Sequence, residues 1–361
     1  MMKILYDSQC FDMQKFGGVS RYFYTLAKYN GSLFDYKISG KYGDNIYLPE
    51  ISKIQPFPIK AAFKGKGRAL RAVNKFFDVR ALKKLDYDVF HSTYYSVPKY
   101  PKEKPLVITV HDFIHEIFPG DFSSKDKTAS FKKDAMERAE RIIAISQCTK
   151  NDLLKFYPEI NPEKIDVVLH AIEWGPRQKK ALQKPFPKPY ILFTGQRRGY
   201  KNFEAFARAA APALLDNDLL LVCTGAPFSA GEKALLDELK ISDRAFSLFA
   251  DDDTLRSLYE NALFFCFPSL YEGFGLPILE AFVSECPALL SHASCFPEIA
   301  GDAALYFDTK NEADFAEKIA RLVQSQSLRQ ELAKKGRARF DEFTLQKMMA
   351  GTAAVYQKAL R

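Results

Sequence analysis

No two cysteines in these 361 residues take the CxxC spacing of a zinc or redox site. The six present (Cys10, Cys148, Cys223, Cys266, Cys286 and Cys295) stand apart, several inside apolar runs, and read as buried thiols in a reducing compartment. The five histidines show no metal-ligand spacing either. No apolar run approaches the length of a membrane span, and the N-terminal MMKILYDSQCF turns polar too early for a signal peptide. These absences point to a cytoplasmic location and argue against a disulfide, zinc or membrane-spanning framework. Composition is that of a globular chain, 47% hydrophobic and 27% charged, and the length favours two domains.

Net charge is concentrated in one place. The whole chain carries +8, yet the stretch from Lys53 to Lys84 alone holds ten Lys and Arg against one Asp. The remainder is close to neutral, which is not the pattern of a protein that coats nucleic acid. Within this stretch, AAFKGKGRALRAVNKFFDVRALKKL mixes cations with apolar residues at near-helical spacing: Phe63, Leu70, Val73, Phe76, Phe77, Leu82 and Leu85. Two readings stay open. One is a helix with those residues facing the core and a solvated basic face. The other is a surface that docks on anionic headgroups through Lys64, Lys66, Arg68 and Arg71.

Short apolar runs alternate with helical patterns along both halves. In the first half the strand-like runs are KILYD, DVFHST, LVITVHD, RIIAIS and KIDVVLHA, the last ending near Ala171. Ser146, after RIIAI, is placed to cap the next helix. The second half repeats the grammar with YILFTG, LLLVCTG, AFSLFA, LFFCFPS, PALLS and ALYFD. This order predicts an α/β protein of two doubly wound domains with parallel sheets and a ligand cleft at the strands' C-terminal ends. Residues 173–189, with four prolines and no apolar period, read as a linker between domains 1–172 and 190–340. In ADDDTLRSLY, the aspartates precede a helical run and read as capping and first-turn residues, not as metal ligands.

One stretch carries chemistry. PSLYEGFGLPILE follows the strand-like LFFCF and opens a helix in which Pro277 suits the first turn. A strand, a glycine loop and a helix N-terminus make a place for an anion. Glu272 and Glu280 must then serve something other than that anion. A sugar nucleotide offers both a diphosphate and hydroxyls.

Six motifs in order carry a resemblance to the retaining glycosyltransferases of family 4, which have the two-Rossmann GT-B fold. They are FGGVSRYFYTLAK, VITVHDFIHEIFP, ERIIAISQCTKNDL, ILFTGQRRGYKNF, FPSLYEGFGLPILEAF and ASCFPEIAGDAALYFD. The chain looks most like bacterial mannosyltransferases of surface-polysaccharide and lipopolysaccharide synthesis. By that resemblance Glu280 accepts hydrogen bonds from the ribose, and Glu272 stabilises charge at the anomeric carbon. Phe274, Gly275 and Leu276 turn backbone N–H groups to the donor at the head of the Pro277 helix. Lys201 neutralises the leaving diphosphate, and His111 contacts the donor sugar. Gly17 and Gly18 let their loop approach the phosphates or the acceptor. The glycine of ILFTG, Gly195, is followed after Gln196 by Arg197 and Arg198, one of which is expected to pair with the diphosphate. A C-terminal helix over 341–361 packs back on the N-terminal domain.

The resemblance further implies a nucleotide-sugar donor, GDP-mannose favoured, a glycan or lipid-linked acceptor, and no metal or other cofactor; peripheral attachment at the inner membrane face follows only from the docking reading of the basic segment. His111 and His115 are four apart, but they follow a strand end and lack the HExxH order, so no metal is expected there. Relatives carry glycine at the position of Glu285, so a left-handed helix end is expected to be lost there. A sugar-nucleotide epimerase of similar architecture and a non-catalytic lipid- or polysaccharide-binding scaffold are the competing readings.

Overall fold

The computed structural model describes residues 1–58, 65–98, 100, 103–174, 185–197 and 199–361. Lys64, Arg198, Phe63 and most of the expected 173–189 linker lie outside the described residues. The chain divides into two compact units, one of Met1–His170 with Leu345–Arg361, the other of Ala171–Thr344.

In the first unit six parallel strands run β1 (Met2–Tyr6), β2 (Phe34–Ile38), β3 (Val89–Ser92), β4 (Leu106–Val110), β5 (Arg141–Ala144) and β6 (Ile165–Val167). Their order across the sheet is β2-β1-β3-β4-β5-β6. All five residues of the central β4, LVITV, are buried, because helices cover both faces of a parallel sheet. The edge strand β2, FDYKI, is partly exposed and has no apolar run to announce it. β6 stops at Val167, short of the expected Ala171. Ser146 caps the helix Gln147–Phe156 by accepting from the Thr149 N–H, as expected.

The last helix, Leu345–Ala359, belongs to this unit. Its fully buried Tyr356 hydroxyl meets the Tyr6 hydroxyl at 3.0 Å and His91 Nδ1 at 2.8 Å. His91 Nε2 in turn reaches Thr109 Oγ1 on β4 at 2.9 Å, so a polar chain through the core fastens the C-terminal helix to the sheet.

The basic segment forms the helix Lys66–Lys84, but its inner face is not the expected one. Leu70, Asn74, Asp78 and Leu82 point inward at every fourth position, while Phe76 is 65% exposed and Leu85 37%. The cause is a buried polar network. Asn74 Oδ1 accepts the backbone N–H groups of Lys41 (2.9 Å) and Tyr42 (3.2 Å), and its Nδ2 donates to Asp12 Oδ1 (2.6 Å). Asp78 takes hydroxyls from Ser39 and Ser8, the latter at 3.0 Å.

The second unit repeats the plan with β7 (Tyr190–Phe193), β8 (Leu220–Thr224), β9 (Ala245–Leu248), β10 (Phe264–Phe267), β11 (Ala288–Ser291) and β12 (Leu305–Phe307). The parallel order is β12-β11-β10-β7-β8-β9. Asp251 caps the helix Asp252–Asn261 through the Thr254 N–H, with Asp252 and Asp253 in its first turn. The helix Leu276–Val283 ends in a left-handed residue after all. Glu285 adopts φ 53°, its N–H donates to Phe282 O (3.1 Å), and the Cys286 N–H donates to Ala281 O (2.9 Å). These are the two bonds of a Schellman ending, made here by a glutamate where glycine is the unstrained choice.

Candidate active site

β7 and β10 are neighbours at the centre of the second sheet, and the chain winds away from them in opposite directions. Loops leaving their C-terminal ends therefore border the crevice in which open α/β sheets take ligands. After β7 come Gly195, at φ 99°, and a tight turn over Gly199–Lys201. After β10 comes the loop from Pro268 to Gly275. The Leu270 N–H donates to Tyr200 O at 2.7 Å and ties the two loops together. Lys201 Nζ then lies 2.5 Å from Glu272 Oε1, with both side chains more than four-fifths buried. The Lys201 ammonium also sits 5.5 Å from the centre of the Phe267 ring.

Glu272 is held by its backbone as well. Its N–H donates to Ser294 Oγ at 3.0 Å, and the Ser294 hydroxyl donates back to the Glu272 carbonyl. Ser294 stands at φ 55°, a strained position for serine, and nothing in ASCFPE marks it as the partner of a loop more than twenty residues earlier.

Glu280 is buried on the helix Leu276–Val283, and the Tyr259 hydroxyl donates to its Oε2 at 3.3 Å. Burial, with the Glu280 charge beside it, pushes the Tyr259 hydroxyl well above its ordinary pKa, so it stays a donor. The same hydroxyl is 3.3 Å from Thr194 Oγ1 at the end of β7. Tyr259 thus links the Glu280 helix to the β7 loop, a role that its place on an apolar helix face does not reveal.

Gly275 precedes this helix at φ 90°, and a Cβ there would meet Ile278 and Phe296 at 3.1 Å. Only glycine suits both the conformation and the space. Leu276 and Pro277 open the first turn, where the missing proline N–H costs nothing. Phe274 is buried, its ring edge-on to Phe343 at 6.0 Å.

Arg197 is committed elsewhere for the most part. Its Nε donates to Glu232 Oε1 (2.9 Å), and its Nη2 donates to the carbonyls of Ala226 and Pro227. The guanidinium lies 4.7 Å from the Phe228 ring centre. Nη1 is buried without a partner among the described residues. Arg197 is a brace between the β7 loop and the loop after β8, with one donor left over.

His111 lies in the first unit, directly after β4. Its N–H donates to the Tyr95 hydroxyl at 3.1 Å, its ring is edge-on to Tyr22 at 5.3 Å, and it stacks on His170 at 6.0 Å. Burial lowers its pKa to about 4 against the opposing charge of Asp112, with a smaller push from Lys132, so the imidazole is neutral near pH 7. Its Nε2 is buried with no partner among the described residues. His115 instead stacks on Phe122 at 4.0 Å, and no group of metal-binding residues occurs among the described residues.

Gly17 caps the helix Gly18–Lys28 in an extended conformation, accepting the Arg21 N–H (2.9 Å) and the Ser20 hydroxyl (3.1 Å). On the basic helix, Arg68 and Arg71 are exposed, whereas Lys66 pairs with Asp44 at 2.8 Å. The exposed face also carries Lys75, Phe76, Arg80, Lys83 and Lys84, and no acid.

The family described as Glycosyltransferase Family 4 matches residues 16–173, and the family described as Glycosyl transferases group 1 matches residues 176–339. The O-antigen chain mannosyltransferase RfbU of Salmonella typhimurium (strain LT2) is 25% identical over 234 residues, which is 64% of each chain. The MMP alpha-(1->4)-mannosyltransferase of Mycolicibacterium hassiacum is 30% identical over 239 residues, 63% of this chain and 56% of the relative. The match thus spans less than two thirds of either relative's length. Sucrose-phosphate synthase from Thermosynechococcus elongatus has the same fold, with a TM-score of 0.76 at 17% identity over 99% of this chain and 98% of that one.

Proposed function

This chain belongs to the family 4 glycosyltransferases, with the two-sheet GT-B architecture, and from that premise we propose a retaining transfer of a hexose from a nucleotide sugar. GDP-mannose is the favoured donor, in keeping with the mannosyltransferases it resembles, and a glycan or lipid-linked saccharide of polysaccharide synthesis is the acceptor. The observation that carries the reading is the Lys201–Glu272 pair at the sheet's switch point, with Glu280 on the helix that follows.

In this reading Lys201 meets the diphosphate, whose charge grows as the glycosidic bond breaks, and a preorganised ammonium stabilises that charge more in the transition state than in the ground state. Glu272 faces the positive charge developing at the anomeric carbon. Glu280, buried and oriented by Tyr259, accepts the ribose hydroxyls. The neutral His111 offers Nε2 to a hydroxyl of the sugar. The diphosphate of the bound donor is held by Lys201, by Arg197 Nη1 or Arg198, and by backbone N–H groups ahead of Pro277.

The acceptor hydroxyl attacks the face that the leaving group vacates. Its oxygen bonds to the anomeric carbon as the old carbon–oxygen bond breaks, and its proton passes to the departing diphosphate oxygen. Lys201 supplies cationic charge from the chain itself, so turnover is expected to survive EDTA. The exposed cations and Phe76 of the Lys66–Lys84 helix are the surface for an anionic membrane. Neither an epimerase nor a silent scaffold gains an observation here. A thermal-shift panel of nucleotide sugars tests the proposal, since a ligand that prefers the folded state raises its stability. No shift with any of them, GDP-mannose included, would sink it.

A further inference from the structure

Lys132 is a fully buried lysine on the helix Thr128–Arg138. Its Nζ donates to the carbonyl of Asp112 at 2.7 Å and to Glu116 Oε2 at 2.8 Å. The other Glu116 oxygen takes the Tyr157 hydroxyl at 3.0 Å. The ammonium also lies 4.6 Å from the Phe113 ring centre and 5.4 Å from that of Tyr95. Tyr95 is the residue whose hydroxyl accepts the His111 N–H. The segment that leaves β4 is therefore gripped in sequence: His111 through Tyr95, Asp112 at its carbonyl, Phe113 at its ring, and Glu116 at its carboxylate.

A buried ion pair is weak evidence for stability, because well-packed apolar residues of similar volume often do as well or better. What this pair contributes is direction. Three of its contacts fall on residues 112–116, immediately after the imidazole that leaves Nε2 open. We propose that Lys132 is a positioning residue for His111: by holding the Asp112 carbonyl and Glu116 it fixes the turn after β4, so that Nε2 keeps one orientation. The inference rests on the reading of His111 as a donor-sugar contact.

The test compares Lys132→Met/Glu116→Gln with Glu116→Gln alone, so that no carboxylate is left buried and unpaired. With histidine ring labelling of the full chain and His111→Ala for assignment, the His111 resonance is expected to shift or broaden in the double variant. GDP-mannose turnover should fall about tenfold in kcat with KM within about threefold. In a His111→Ala background the loss of Lys132 should add nothing. An unmoved His111 resonance in a folded double variant, or equal kcat losses with and without His111, overturns the proposal. If the double variant does not fold, the apolar pair Lys132→Met/Glu116→Met, which removes the same two contacts without leaving a buried charge, replaces it, and the same resonance must move. If His111→Ala leaves GDP-mannose turnover intact, the donor-sugar role of His111 falls, while the resonance still decides the positioning.

Discussion

Lys201 and Glu272, 71 positions apart, form a 2.5 Å ion pair across the two loops that leave β7 and β10. Each neutralises the other in the free protein, so under the proposed function a diphosphate would meet a lysine that already has a partner. In the proposed reaction the pair separates two jobs: Lys201 would be drawn to the growing diphosphate charge, and Glu272 would be released to face the sugar.

Lys201→Ala is therefore expected to lower kcat more than it raises the donor KM. The same change leaves Glu272 mostly buried without its cation and should destabilise the fold by about 1.5–3 kcal/mol. Adding Glu272→Gln should return part of that stability in urea melts, while activity stays low. A raised KM with untouched kcat would show that Lys201 contributes only ground-state binding.

Tyr259→Phe should weaken GDP binding through Glu280, which loses the hydroxyl that orients it. Glu280→Ala should weaken it further, by about 1.5–3 kcal/mol for a charged hydrogen bond. Calorimetry with GDP checks both, and unchanged affinity in a folded Glu280→Ala protein removes Glu280 from the ribose site.

The pH dependence of stability has two opposed parts. His111 titrates near 4 in the fold against about 6.5 when unfolded, so between these values the unfolded chain binds the extra proton. Stability from this group is lost as pH falls through that window, by about 3 kcal/mol at most. Asp78 is pushed the other way: burial raises its carboxyl to about 8, with Asp7 adding to the effect. Here the folded chain holds the proton, and stability is lost as pH rises from about 4 toward 8. His111→Gln should thus make the acid side of the urea-melt profile shallower, with buried His91 and His170 still contributing, and Asp78→Asn should reduce the decline with rising pH, with Asp12 carrying the rest. Parallel profiles for wild type and both variants would contradict both shifts.

The geometry fits a proton held within the Asp12–Ser8–Asp78 group, without choosing which carboxyl carries it. Ser8 Oγ lies 2.9 Å from Asp12 Oδ2 and 3.0 Å from Asp78 Oδ2, yet a serine has one proton to give. A proton on either carboxyl supplies the second donor. Burial raises Asp12 as well, to about 7.

Glu285→Gly should raise stability by up to about 1 kcal/mol, since it relieves the left-handed strain of a non-glycine residue and keeps both Schellman bonds. The gain is limited by the greater freedom of glycine in the unfolded chain. An unchanged midpoint in urea would mean that Glu285 makes compensating contacts.

The legible parts of the sequence were those governed by burial on both faces of a sheet. LVITV and FFCF are continuous apolar runs because parallel strands are covered on both sides. β2 escapes notice because an edge strand tolerates Asp35 and Lys37. The inward face of the Lys66–Lys84 helix escapes because Asn74 and Asp78 are buried by partners on distant segments, not by apolarity. Glu272, Glu280 and Lys201 could be picked out by motif, but their pairing depends on β7 and β10 being neighbours. Lys132 looks like its solvated neighbour Lys133, and Ser294 like any loop serine.

The exposed face of the Lys66–Lys84 helix carries the last prediction, and its residues differ from those the sequence alone suggests. Lys66 is held by Asp44, so Arg68, Arg71, Lys75 and Arg80 are the better set. Each cation near an anionic surface contributes about 1 kcal/mol, screened by salt. Changing all four to Glu should abolish sedimentation with phosphatidylserine vesicles at low salt and leave GDP-mannose binding intact. Phe76→Ser should act differently. An inserted ring contributes by apolar burial, so its loss should weaken binding by a similar factor at low and moderate salt. If the quadruple variant sediments like the wild type, the basic face is solvated and nothing more. If only the Phe76 effect is missing, binding is electrostatic and the helix rests on the headgroups without entering the monolayer.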